Sequence, residues 1–211
     1  MLMKKTSNIT HLQMDSKILL HTRLAQSMFN YSWQHGKMGL LQFAKSTSNL
    51  WKAAHQDDPY ADWILLKTYQ ALIDVREQLQ ELEKQFSEQL STIRGIETTP
   101  ALNAMPMSYP LQFSNYLGYM GATLLADADY VLRQILTLKR LGKKQDDINS
   151  INQVVKYLQD VFSIPRQWRH TGVTRIDIKE NTQKAQEAII LLGEIPDSIM
   201  QQKIDFNFLS K

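Results

Sequence analysis

The chain has 211 residues, no cysteine and a net charge of +3 at pH 7, with 43% hydrophobic and 21% charged residues. This composition can bury a core, and it excludes a disordered tract, a disulfide framework and a thiolate zinc site. No apolar run approaches the roughly 18–20 residues that cross a bilayer, and residues 6–15 are polar where a secretory signal needs an apolar stretch. The expectation is a cytoplasmic protein without a membrane partner.

Charge alternates along the chain: +5 over residues 1–57, −4 over 58–100, +3 over 101–170 and −1 over 171–211. Basic segments attract phosphate backbones by releasing condensed counterions. An ordinary solvated surface accounts for the same pattern.

Residues 1–16 carry no period and are expected to form a flexible N-terminal tail. Residues 17–26 alternate: Ile18, Leu20, Thr22 and Leu24 fall on one side, and Leu19, His21, Arg23 and Ala25 on the other. That predicts a strand, although Leu20, Arg23 and Leu24 also suit a short amphipathic helix. Gly36 and Gly39 mark a loop. Residues 40–55 return to helical spacing through Leu40, Phe43, Ala44, Leu50, Trp51 and Ala54.

Asp58 and Pro59 then suit an N-cap and a first helical turn. The helix they start is the clearest in the sequence. Leu65, Tyr69, Leu72, Val75, Leu79, Leu82, Phe86, Leu90 and Ile93 recur at steps of three and four, opposite Asp74, Glu77, Glu81, Lys84 and Glu88. Such a long single seam packs against another helix of its own chain or of a partner's. Leu72, Leu79, Leu82 and Phe86 are its candidate dimer contacts. Gly95 is its expected end.

A second strand is predicted at 109–115, with Leu111 and Phe113 on one side and Gln112 and Ser114 on the other. Pro110 confines it to an edge or to its first position. Helices follow at 117–141, with Leu136 on its broad apolar side, and at 146–162. Lys139, Arg140, Lys143 and Lys144 surround the break at Gly142, where cations also suit a helix C-terminus. Thr174-Arg-Ile-Asp177 has the form of a capping box that opens a last helix over 174–192. Phe206, Phe208 and Leu209 near the end are expected to dock. The organisation is a single helical domain over 17–211 with two strand-helix-helix segments, 17–93 and 109–162.

Nothing in this order supplies catalytic chemistry. His11, His21, His35, His55 and His170 form no metal-ligand pattern. There is no glycine-rich phosphate loop, no GxSxG elbow and no cysteine nucleophile. Asp127 and Asp129 lie two apart on a helix and point to different sides, so they cannot share a substrate proton. The expectation is a non-enzyme with no cofactor and no metal.

The polar-faced strands are the most suggestive feature. Two antiparallel strands make a ribbon narrow enough for the DNA major groove, where outward side chains reach base edges. The outward sets would be His21 and Arg23 on one strand, and Gln112 and Ser114 on the other. Alternatively, the two are small structural strands that pair with each other. Lys143 and Lys144 are candidate phosphate contacts. Arg166 and Arg169 flank Trp168, where an aromatic could stack on bases or anchor the core with arginines on its rim.

Four stretches together carry a resemblance. They are Leu20-His-Thr-Arg-Leu-Ala-Gln26; Ala54-His-Gln-Asp-Asp-Pro-Tyr-Ala-Asp-Trp63; Pro110-Leu-Gln-Phe-Ser-Asn115 with Gly118-Tyr119 and Leu124-Leu-Ala-Asp127; and Gly172-Val-Thr-Arg-Ile-Asp177. Their order and spacing over residues 18–195 resemble the AcaB-like transcriptional activators of conjugative plasmids and integrating conjugative elements. The resemblance implies a mainly α protein whose helical body carries a short antiparallel β-ribbon, in a ribbon-helix-helix type of DNA-binding element. It implies a homodimer in which each protomer gives one strand, with double-stranded DNA at transfer-gene promoters as partner. RNA polymerase is a further candidate partner. Both helix pairs include a helix longer than that module uses, which leaves open which strand reads DNA. A helical scaffold or adaptor of the transfer machinery is the alternative function, on the strength of the long seam.

Overall fold

The computed structural model describes residues 16–30, 37–93, 98–143 and 147–201. Its elements are β1 (Ser16–Leu20), α1 (Arg23–Asn30), α2 (Leu40–His55), α3 (Pro59–Ser91), β2 (Met107–Leu111), α4 (Tyr116–Arg140), α5 (Asp147–Ser163), a 3-10 turn (Ile164–Gln167), α6 (Arg175–Lys179), α7 (Gln183–Leu192) and α8 (Asp197–Gln201). The protein is mainly helical with one small two-stranded antiparallel sheet. The expected tail up to residue 15, Gly36, Gly95, Lys144, Phe206, Phe208 and Leu209 lie outside the described residues.

Side-chain caps open α1, α3, α4, α6 and α7, whereas α2 starts after Gly39 without one. Asp58 accepts from the backbone N–H of Tyr60 and Ala61 at 2.9 and 3.1 Å, and Pro59 occupies the first turn, as the sequence predicts. Burial pushes the Asp58 carboxyl above the usual carboxylate range, while hydrogen bonds from Ala61, Trp168 and Tyr60 pull the other way.

The seam of α3 is consumed within the chain. Leu72, Leu79, Leu82 and Phe86 are only 1–9% exposed, in a core that α3 and α4 form with α2 and α5. The expectation that these four residues join two protomers is therefore corrected. The 3.6-residue period shows that a face is buried, but not which helix buries it. Gly121 of α4 lets α2 come close, since a Cβ there would lie 2.8 Å from the Phe43 ring. A larger residue would force the two helices apart.

Both strands shift relative to the expectation. β1 stops at Leu20 because Thr22 caps α1: its hydroxyl accepts from Ala25 N–H at 3.1 Å. The second half of the expected strand 17–26 is thus helical, and the first segment holds one strand and three helices. β2 starts two residues earlier than expected and ends at Leu111. The next helix claims Asn115, whose Oδ1 accepts from Gly118 N–H at 3.0 Å.

The two strands pair with each other, Ser16 opposite Leu111 and Leu20 opposite Met107. The ribbon therefore closes within one chain, which corrects the expected ribbon of one strand per protomer. Pro110 lacks an N–H and sits on an edge, as both strands of a two-stranded sheet do.

The expected helix 174–192 is two helices. Thr174 and Asp177 form the predicted capping box. Asn181 then adopts a φ of +52°, which asparagine tolerates better than most residues, and Thr182 caps α7 through Ala185 N–H. Hydrogen bonds from the Thr174 backbone and side chain, with Lys184 adding to them, hold the Asp177 carboxyl below the usual carboxylate range. A depressed acid contributes stability above its unfolded pKa and loses it as pH falls through its folded one. We expect Asp177→Asn to be less stable than the parent at neutral pH, and the gap to close below about pH 4. Thermal melts across that range check this, and a gap independent of pH contradicts it.

Candidate functional site

The outer face of the ribbon follows from its register. Ile18 and Leu20 point into the core at 5% and 0% exposure. Lys17 and Leu19, opposite Pro110 and Ser108, form the outer face. None of His21, Arg23, Gln112 or Ser114 belongs to either strand, so the expected outward sets are corrected. The alternating pattern runs past the point where the Thr22 and Asn115 caps turn the backbone into helix.

His21 and Arg23 instead line a cleft of about 530 Å³ where β1 turns into α1. The opposite walls are the segment before β2 and the last turns of α4. The junction is held by Asp129. Its Oδ1 accepts from Thr22 N–H at 2.8 Å and from the Thr22 hydroxyl at 2.7 Å, and its Oδ2 accepts from His21 N–H at 3.0 Å. Arg133 stands 3.7 Å away on the same carboxylate. Asp127 points elsewhere, to Arg76 on α3, as the two-residue spacing predicts; burial pushes its carboxyl up while Arg76 pulls it down. Asn103 N–H donates to His21 Nδ1 at 3.2 Å, and Ala101 N–H donates to the Thr137 hydroxyl at 2.8 Å. These bonds fasten the segment before β2 over the cleft.

Ser114 sits on a different face, beside α2, and Gln112, two residues before it, is exposed. Ser114 and Ser48 hydroxyls are 2.5 Å apart, and Asn115 Nδ2 donates to Ser48 at 2.9 Å. Leu41, Lys45, Ser48, Lys52 and His55 follow one helical stripe of α2 with Ser48 half-buried and the others exposed. The helix contains no acidic residue. A basic residue on an amphipathic helix is ordinarily a solvated one; the absence of any acid in 40–55 is what sets Lys45 and Lys52 apart.

Trp168 is an anchor. Its Nε1 donates to Asp58 Oδ2 at 3.1 Å, and its ring packs between the main core and a smaller cluster around Tyr60, Val173, Ala185 and Ala188. Arg166 and Arg169 are exposed on its rim, on and just after the 3-10 turn that packs on α2 and α3. Lys143 is exposed after the α4 C-terminus, where Gly142 takes a φ of +72° and Lys143 N–H returns to Leu138 O. The expected sites therefore do not converge on one surface. Among the described residues no group of three His, Asp or Glu could hold a metal ion, and no helix is long and apolar enough to cross a membrane.

Comparisons with known proteins place this architecture. No curated protein matches the chain. A solved structure, the crystal structure of selenomethionine-containing AcaB from uropathogenic E. coli, matches with a TM-score of 0.57 at 14% identity, over 90% of this chain and 95% of that one. At that identity the match speaks for the fold. The family model described as "Transcriptional regulator AcaB" matches residues 8–210, which spans the caps, the ribbon and the buried seam alike. The chain belongs to the AcaB family of transcriptional regulators.

Proposed function

We propose that the chain is a cytoplasmic, double-stranded-DNA-binding activator of conjugative transfer genes, and that it meets DNA with the acid-free face of α2 and the adjoining segment 112–115. The observation that carries this placement is the stripe of Lys45 and Lys52 tied through Ser48 to Ser114 and Asn115. The lysines take phosphates, which fix the protein on the duplex without reading sequence. Gln112, exposed two residues before Ser114, reads a base, as glutamine pairs with adenine through two hydrogen bonds. Arg166 and Arg169 extend the basic surface. A homodimer would set two such faces on successive half-sites of an operator, and exposed Ile176, Ile190 and Leu191 on α6 and α7 support a contact between copies there in place of the α3 seam. Activation then requires contact with RNA polymerase.

The test is fluorescence anisotropy on DNA from upstream of transfer genes. Lys45→Gln with Lys52→Gln should weaken binding to all sequences and flatten the salt slope by about 2. Gln112→Ala should lower discrimination between operator and random DNA by about tenfold. Parental binding without salt dependence, with transfer proteins captured instead, would favour the adaptor function. Salt-dependent binding unchanged in all three variants would move the interface elsewhere.

A further inference from the structure

The cleft at the β1–α1 junction has the makings of a small-molecule site that the DNA-binding function does not use. Its volume of about 530 Å³ lies within the range of ligand pockets, which combine an apolar lining with a few placed polar groups. Leu24, Leu132, Leu136 and Ile151 provide the apolar wall, and Leu102 overhangs it. Leu136 is 37% and Leu102 69% exposed, so an apolar occupant would cover surface that now meets water.

The charged groups are of one sign. Arg23, Arg133 and Arg140 line the cleft, and among its described lining residues there is no aspartate or glutamate. Arg23 and Arg140 have no ion-pair partner among the described residues. Arg133 leans on Asp129 at 3.7 Å, beyond hydrogen-bond range, and its buried Nε has no hydrogen-bond partner. Asp129 is already engaged by Thr22 and His21. Arg23 and Arg140 therefore offer guanidinium groups without an ion-pair partner among the described residues, and Arg133 adds a third whose pairing with Asp129 is long; together they suit a carboxylate.

We infer that this cleft binds a small amphipathic carboxylate, its anionic head on Arg23, Arg133 and Arg140 and its apolar body on the leucines of α4 and the 98–106 segment. The probe is decanoate, added to the full chain without DNA and followed by calorimetry and thermal shift. Decanoate should bind and raise Tm, while decanol and decylamine should do neither and acetate should bind far more weakly. Arg23→Gln with Arg140→Gln should weaken decanoate at least about tenfold and leave the Tm of the unliganded protein unchanged, since both side chains sit on the rim. Leu102→Glu, at an exposed position, should abolish binding by placing a like charge over the site. Equal binding of decanol, unchanged affinity in these variants, or no binding at millimolar decanoate would overturn the inference. Because DNA is absent, each of these results is separate from the outcome of the operator test.

Discussion

Replacing Arg175 by Ala should lower stability by about 3–5 kcal/mol, a fall in Tm on the order of 10 °C for a chain of this size. Arg175 is 7% exposed. Its guanidinium meets Asp62 Oδ2 at 2.6 Å and Asp57 Oδ1 at 2.8 Å, and donates to Ile199 O from Nη2 and Nε at 3.1 and 3.3 Å. It is the ionic link between the start of α3 and the C-terminal helices. The cost arises less from the lost attraction than from Asp62, whose side chain is 1% exposed and would be left charged in a dry place. Removing both partners is therefore expected to cost less than the sum of the single changes. Urea melts of Arg175→Ala, Asp62→Ala and the double variant measure this. A double variant as unstable as the sum would show that the charges act independently. A small loss in Arg175→Ala alone would mean that water reaches the cluster.

The helical part of this fold was legible because its long elements carry an apolar period, a start signal, or both. Residues 40–55 and 59–93 show an apolar period, and 59–93 is also opened by Asp58 and Pro59. Residues 174–177 announced a helix start by the capping box alone. What the sequence could not say is which partner a periodic face meets. The α3 seam reads identically whether α4 or a second chain covers it, because the period records burial and not the identity of the neighbour.

The candidate site was harder to see for a local reason. Alternation over 17–26 and 109–115 was real, but period 2 persists for a few residues by chance, and only a cap shows where a strand hands over to a helix. Thr22 and Asn115 were those caps. A threonine three residues before Ala25 and an asparagine three before Gly118 were signals for moving His21, Arg23, Gln112 and Ser114 off the ribbon. The cleft itself joins residues about 80 to 110 apart in sequence, a separation at which no single-sequence pattern points from one wall to the other.

Asp129 ties those walls, and its removal is the second large effect. Asp129→Ala should cost about 3–5 kcal/mol, because Thr22 N–H, its hydroxyl and His21 N–H all lose their acceptor and Arg133 loses its counter-charge. Asp129→Asn discriminates the cause. Each carboxylate oxygen accepts from a backbone N–H, so an amide of the same shape must turn its NH2 toward one of two donors. The isostere is thus expected to be nearly as damaging as alanine. If pairing with Arg133 were the whole of the role, Arg133→Gln would relieve the Asn variant; if the backbone acceptors dominate, it would not. The geometry favours the second outcome, since the three donors lie at 2.7–3.0 Å and Arg133 at 3.7 Å. Hydrogen exchange at Thr22 and Ala25 amides should then rise in Asp129→Asn while the centre of α3 stays protected, which would locate the damage at the β1–α1 junction.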